Sequence, residues 1–215
     1  MKIFKIKYSN TPNNNLQYTE KMNKEYNWMA KKYDIFITLF PLWKTWIKKI
    51  IPYIEGKKIL EVSFGNGYLM TQYAKKEFDI YGIDYNKEML KITSKKMESK
   101  KIKSKLYKAN VEQLPFQNNT FDTIINTMAF SAYPNGDKAM YELNRVLKKE
   151  GKLLIVDFDY PKNKNLIGYL IVKLWEKLGD IIKDINSLLK KNNFEYKDIT
   201  VGGFGSVHLF IATKK

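Results

Sequence analysis

Cysteine is absent from the 215 residues, which excludes disulfides, a thiol nucleophile and a cysteine metal cluster. Histidine occurs once, as His208, so His-rich metal sites are excluded and no metal is expected. Arginine also occurs once, as Arg145, in a chain whose net charge is +16. A basic surface attracts nucleic acid or anionic lipid. Dedicated readers of RNA or phosphate, however, favour the planar fork of arginine over lysine. The lysines here are dispersed, and the chain is also rich in Asn, Ile and Tyr, a bias expected of AT-rich coding. This reads as solvated lysine faces and disfavours nucleic acid as a partner. The N-terminus, MKIFKIKYSN, has no apolar signal-peptide core. The longest apolar tract, Leu166–Trp175, is broken by Lys173 and is too short to span a bilayer. A soluble cytoplasmic protein is expected, with a length that suits one domain.

What the sequence does contain is concentrated in residues 57–84, KKILEVSFGNGYLMTQYAKKEFDIYGID. Lys58–Ser63 is a short apolar run that suits a buried parallel strand. It breaks into Phe64-Gly65-Asn66-Gly67, and residues 68–76 then carry Leu69, Met70, Tyr73 and Ala74 at helical spacing. A second strand, Asp79–Asp84, ends in a carboxylate. Strand, glycine turn, helix, strand and acid make the first βαβ unit of a nucleotide-binding sheet. The turn lets a ligand lie on bare backbone, and the acid stands where ribose hydroxyls would be. A dinucleotide fingerprint requires a third glycine where Met70 stands, and the Gly-Lys-Ser/Thr of a phosphate cradle is missing.

An opening acid (Glu61), two glycines and an acid seventeen residues beyond Gly67 remain. This pattern resembles the S-adenosylmethionine site of class I methyltransferases, with Ser63 where that family often has glycine. Three further segments follow in the family's order. Asn110-Val111-Glu112-Gln113-Leu114-Pro115-Phe116 is similar to Asp-Ala-x-x-Leu-Pro-Phe, with Asn for Asp. Phe121–Asn126 reads as the fourth strand. Residues 139–157, AMYELNRVLKKEGKLLIVD, resemble the Glu-x-x-Arg-Val-Leu-Lys-Pro-Gly-Gly segment of menaquinone and ubiquinone C-methyltransferases, with Lys149-Glu150 replacing Pro and one Gly. The resemblance covers about residues 55–158.

It implies an α/β, Rossmann-like sheet of seven mostly parallel strands with an antiparallel last strand beside the fifth. It also implies helices on both faces and an N-terminal helical lid. The expected layout is a loose arm over 1–17, the lid over 18–55 and the methyltransferase domain over 56–215. Thr19 is expected to cap a helix to about Lys32, and a second helix runs over Asp34–Ile51, interrupted near Pro41. The latter is aromatic, basic and amphipathic, and suits either packed core or peripheral membrane contact. The third strand is expected at Lys105–Asn110 and the fifth at Lys152–Phe158, with Gly151 in the left-handed position that ends the preceding helix. Glu195–Val201 and Val207–Thr213 are expected to form the terminal hairpin.

The implied cofactor contacts are Glu61, Ser63, Phe64, Gly65 and Gly67 on the first turn, and Asp84 with Tyr85 and Met89 after the second strand. Asn110 and Val111 follow the third strand, and Asn126 and Phe130 follow the fourth. Tyr26 and Tyr33 either close over the methionine carboxylate, as in related enzymes, or pack as core.

Ligands of open α/β sheets bind outside the carboxyl ends of the strands, which places His208, Tyr133 and Asp157 near the transferred methyl group. His208 is the natural general base by titration range. Tyr133 is the alternative base, or a lid residue, and Asp157 either binds the acceptor or caps a loop. The expected activity is methyl transfer to a small apolar or aromatic acceptor at O, N, S or C. The alternatives are an RNA methyltransferase using the lysine-rich surface and a non-catalytic activator subunit. Amino-adenine methylation by an Asn/Asp-Pro-Pro-Tyr/Phe device is disfavoured, because that place reads Asn126-Thr127-Met128-Ala129-Phe130.

Overall fold

Seven strands form one sheet in the order β3-β2-β1-β4-β5-β7-β6. In the computed structural model, residues 42–215 are described together with residues 6, 8, 12, 15 and 17–21. Tyr26, Tyr33 and most of the two expected lid helices lie outside the described residues. Of those helices, Leu42–Lys48 (α1) is described. Thr19 does not act as a cap: its hydroxyl donates to the Asn15 carbonyl, a bond made from within a helix.

The centre of the sheet is β1 (Lys58–Val62), β4 (Phe121–Thr127) and β5 (Leu147–Phe158). Over residues 59–62, 123–126 and 153–157 these strands are buried throughout, which is why those stretches are largely apolar rather than alternating. Leu60, Ile124, Leu153 and Ile155 feed the core on one face, and Ile59, Ile125, Leu154 and Val156 feed the core on the other. Pairing is parallel from β3 (Ser104–Lys108) through β2 (Asp79–Asp84), β1 and β4 to β5. β7 (Val207–Lys214) then runs antiparallel between β5 and β6 (Phe194–Gly202). The inserted antiparallel strand expected from the resemblance is therefore present.

The helices on the sheet are α2 (Tyr68–Tyr73), α3 (Lys87–Ser99), α4 (Gly136–Val146), α5 (Leu166–Leu178) and α6 (Ile185–Lys191). Asn86 caps α3 by accepting from the amides of Glu88 and Met89. α4 turns Ala139, Met140, Leu143 and Val146 inward. Gly179, at φ 113°, ends α5 and makes the joint before α6.

Two further sequence expectations need correction. β3 stops at Lys108, because the Asn110 side chain accepts from the Glu112 amide and folds the chain into a turn. Gly151 is not the left-handed residue after α4. The chain enters β5 directly at Leu147, and Glu150 takes the positive φ of 61°. Gly151 is needed for space instead: a Cβ there would lie 2.9 Å from the Asp122 carbonyl.

Candidate active site

The parallel strands and the β6–β7 hairpin end on one edge of the sheet, and the glycine turn lies in its middle. Gly65 and Gly67 both take positive φ, 55° and 67°. A Cβ on Gly67 would meet Thr93 at 2.5 Å, so α3 packs against bare backbone. Ser63 also has positive φ, 53°, at the place where the family pattern carries glycine. A side chain there costs on the order of 1–2 kcal/mol. The Ser63 hydroxyl pairs with the Tyr133 hydroxyl at 2.8 Å. The Phe64 ring turns away from the turn into the core, against Gly82.

Asp84 faces the turn. Its carboxylate accepts from the Gly65 amide at 2.9 Å and from the Asn86 amide at 2.8 Å. Burial pushes its pKa up to about 6, against the pull of those two bonds. Glu61, buried beneath the turn, is pushed up to about 8 by burial, with the charge of Asp84 adding to the effect. The Tyr73 hydroxyl favours its ionised form, yet neither Glu61 Oε2 nor that hydroxyl completes a well-formed hydrogen bond. A buried polar atom without a partner is costly, and here it adjoins the strand end where a ligand would lie. Tyr85 is exposed beyond Asp84, with Lys108 over its ring at 5.9 Å, and Met89 is buried in α3.

The third strand end carries Asn110, exposed, and Val111, buried. The following segment is fastened by α4 in a way the motifs did not reveal. Arg145 makes a two-pronged pair with Glu142 and donates to the carbonyls of Leu114 (2.9 Å) and Phe116 (2.7 Å). Glu142 in turn accepts from the Leu114 amide at 2.7 Å. The Glu-x-x-Arg pattern and the Leu-Pro-Phe pattern, far apart in sequence, are two halves of one clamp.

After β4, Asn126 donates to the Tyr133 hydroxyl at 2.5 Å, while its own Oδ1 is buried and unpartnered. Ser63 and Asn126 thus converge on the Tyr133 phenol, a contact sequence spacing alone does not signal. Burial holds that phenol well above its ordinary pKa. Asp157 accepts from the amides of Phe130 (2.6 Å), Ser131 (3.2 Å) and Phe158 (2.7 Å). Lys183, which sequence reasoning missed, is buried and donates to the carbonyls of Phe130, Ser131 and Ile181. Burial lowers its pKa to about 8. A cavity of about 310 Å³ lies beside Lys183, lined also by Tyr8, Gly136 and Leu188, and not at the glycine turn.

His208 pairs with Asp157 across β5 and β7 and is fully buried. Its Nδ1 lies 2.6 Å from Asp198 and its Nε2 lies 2.9 Å from the Gly205 carbonyl. Both neighbours are acceptors, so the ring donates twice and carries a positive charge. Burial opposes that charge, but the Asp198 bond and charge outweigh it and raise the pKa above 6.5.

The ubiE/COQ5 methyltransferase family matches residues 15–206. The ubiquinone/menaquinone biosynthesis C-methyltransferase UbiE of Wigglesworthia glossinidia brevipalpis is 30% identical over 188 residues, which is 80% of this chain and 71% of that protein. UbiE of Blochmanniella floridana is 32% identical over 148 residues, 64% of this chain, and the chain spans 58% of that relative's length. A SAM-dependent methyltransferase from Aquifex aeolicus superposes with a TM-score of 0.68 at 19% identity, over 86% of this chain and 98% of that one. A possible histamine N-methyltransferase from Thermotoga maritima gives 0.69 at 16% identity, over 87% and 97%. At these identities the solved structures show the fold.

Proposed function

Since the chain belongs to the ubiE/COQ5 methyltransferase family, we propose that it uses S-adenosylmethionine to methylate a ring carbon of a small quinone-type acceptor in its reduced, phenolic form. The two UbiE relatives are named as ubiquinone/menaquinone biosynthesis C-methyltransferases, which supports carbon as the methylated atom and a quinone-type acceptor. The observation that supports the reading is the set of hydrogen-bond acceptors gathered around the glycine turn. Two buried carboxyl groups, Glu61 and Asp84, and the orphaned Oδ1 of Asn126 stand about bare backbone. Such a set fits a ligand bearing an ammonium, a sulfonium and ribose hydroxyls, all donors or cations.

When bound, S-adenosylmethionine supplies an electrophilic methyl group. In this reading Asp84 accepts from the ribose, the turn amides orient the methionine end, and Asn110 presents its remaining acceptor lone pair to the adenine amine. Phe130 and Tyr133, edge to face with centroids 5.5 Å apart, line the methyl side. Their ring faces suit a sulfonium and an apolar acceptor. Alignment and exclusion of water then do most of the work. His208 donates through both nitrogens and has no lone pair for a proton, so here it fixes the hairpin. Asp157 holds the Phe130–Ser131 turn. With no free base at the rim among the described residues, the reading favours an acceptor that binds already ionised as a phenolate: its ring carbon would take the methyl group, S-adenosylhomocysteine would leave, and the displaced ring proton would pass to water.

The test is incubation with cofactor and a panel of hydroquinones, catechols, thiols and RNA, with products located by mass spectrometry and NMR. A new carbon-bound methyl on a hydroquinone is expected. O-, S- or RNA-methylation in its place would overturn the reading.

A further inference from the structure

One helix presents an apolar face that nothing in the proposed chemistry uses. Leu166, Leu170, Leu174 and Leu178 recur every fourth residue along α5, with Ile167 beside them, and each is 52–57% exposed. The opposite side of α5 is accounted for. Gly168 and Val172 are buried, and Trp175 packs on Phe158 with ring centroids 5.1 Å apart. Among the described residues, the outward leucines are therefore surplus to the core. A Cβ on Gly168 would lie 2.5 Å from the Phe204 carbonyl, so the first turn of α5 is locked to the tip of the β6–β7 hairpin. Phe204 at that tip is 60% exposed and held at a positive φ of 54°. A bulky residue in that conformation is strained, and here the strained residue displays an apolar ring beside the leucine stripe.

Charge decides what such a face fits. Residues 161–179 carry four lysines and one acid, Glu176. That acid is occupied by Lys173 and the Tyr160 hydroxyl, and Lys162 is paired with Asp198 at 2.7 Å, while Lys164 and Lys177 are exposed. A second copy of the chain would bring the same lysines against each other; an anionic surface would not. No described helix is long and apolar enough to cross a membrane. An apolar stripe with flanking lysines on a helix too short to span is the pattern of a segment lying in a bilayer interface.

We propose that α5 and Phe204 form a docking face for an anionic lipid bilayer, with the leucines entering the headgroup–acyl boundary and the lysines contacting anionic headgroups. The face borders the sheet edge that carries the candidate site, so an apolar acceptor could enter from lipid. Docking itself does not require the methyl-transfer reading.

The test is flotation of the full chain with vesicles of phosphatidylcholine alone and of phosphatidylcholine with an equal part of phosphatidylglycerol. Co-flotation with the anionic vesicles, reduced by salt, is expected. Leu170→Glu with Leu174→Glu should weaken it by roughly tenfold or more, and Phe204→Ser to a lesser degree. The double variant should keep the wild-type melting temperature and affinity for S-adenosylhomocysteine. Absence of vesicle binding, or binding that the double variant leaves intact, would overturn the proposal. So would a marked fall in the variant's melting temperature, which would mean the chain itself covers these leucines. A wild-type dimer that the variant converts to monomer would assign the face to a second copy. No arm of this experiment measures methyl transfer, so docking and activity fail separately.

Discussion

Replacing Arg145 with alanine should cost about 3 kcal/mol of stability. The side chain is 21% exposed and its partner Glu142 is 12% exposed. It holds two guanidinium–carboxylate contacts of 2.8 Å and donates to two backbone carbonyls and to Asn118. Each bond from a charged donor to a carbonyl contributes about 1 kcal/mol or somewhat more. Removing one partner of a fully buried ion pair costs roughly 3–5 kcal/mol, and partial exposure reduces that share. For a chain of this size, about 3 kcal/mol corresponds to a melting temperature lower by roughly 6–12 °C. Arg145→Lys keeps the charge but cannot reach carboxylate and carbonyls together, so about half the loss should remain. Calorimetric or circular-dichroism melts of both variants, and of each combined with Glu142→Gln, measure the coupling directly. Cofactor affinity should fall with stability, because the clamped segment follows Asn110. An alanine variant within about half a kcal/mol of wild type, or a lysine variant equal to it, would refute the clamp.

Three other outcomes follow from the same site. Tyr133→Phe removes the bonds to Ser63 and Asn126 and leaves a buried amide unpaired, at a cost of about 2 kcal/mol in denaturant unfolding; an unchanged midpoint would contradict the arrangement. His208 has a raised pKa, so its contribution to stability is full below 6.5 and is lost as pH rises through the folded value. Asp198 has a lowered pKa, so its share is present above 3.8 and lost as pH falls through its folded value. Asp198→Asn should flatten both limbs of a stability-versus-pH curve, and an unaltered curve would argue against the buried pair. Affinity for the cationic cofactor should climb as Asp84 and Glu61 ionise near pH 6 and pH 8; titration calorimetry across that range would expose a flat profile if the two acids do not face the ligand.

The strand–turn–strand unit was legible because each of its steps has a local cause: apolar runs for buried strands, positive-φ glycines, and an acid at a strand end. The inserted antiparallel β7 came from the resemblance, since no local pattern distinguishes it from its neighbours. The clamp of Glu142 and Arg145 on Leu114–Phe116 was not legible, because it joins segments whose adjacency the fold alone creates. The same holds for Ser63, Asn126 and Tyr133, which meet from three separate stretches. His208 was read as a base from its ordinary pKa, and only the structure shows two acceptors at its nitrogens. The place of Gly151 after a helical stretch suggests a left-handed cap, whereas close approach to Asp122 is what requires it.

In the proposed site the nucleoside of the cofactor lies over Ser63–Gly67 with its sugar on Asp84. Isothermal titration with S-adenosylhomocysteine tests this most directly, with Asp84→Ala beside Asp79→Ala, an exposed acid paired with Lys105. Micromolar binding by wild type and Asp79→Ala, abolished in Asp84→Ala, is the predicted result. No binding by the wild type, or undiminished binding by Asp84→Ala, would contradict it.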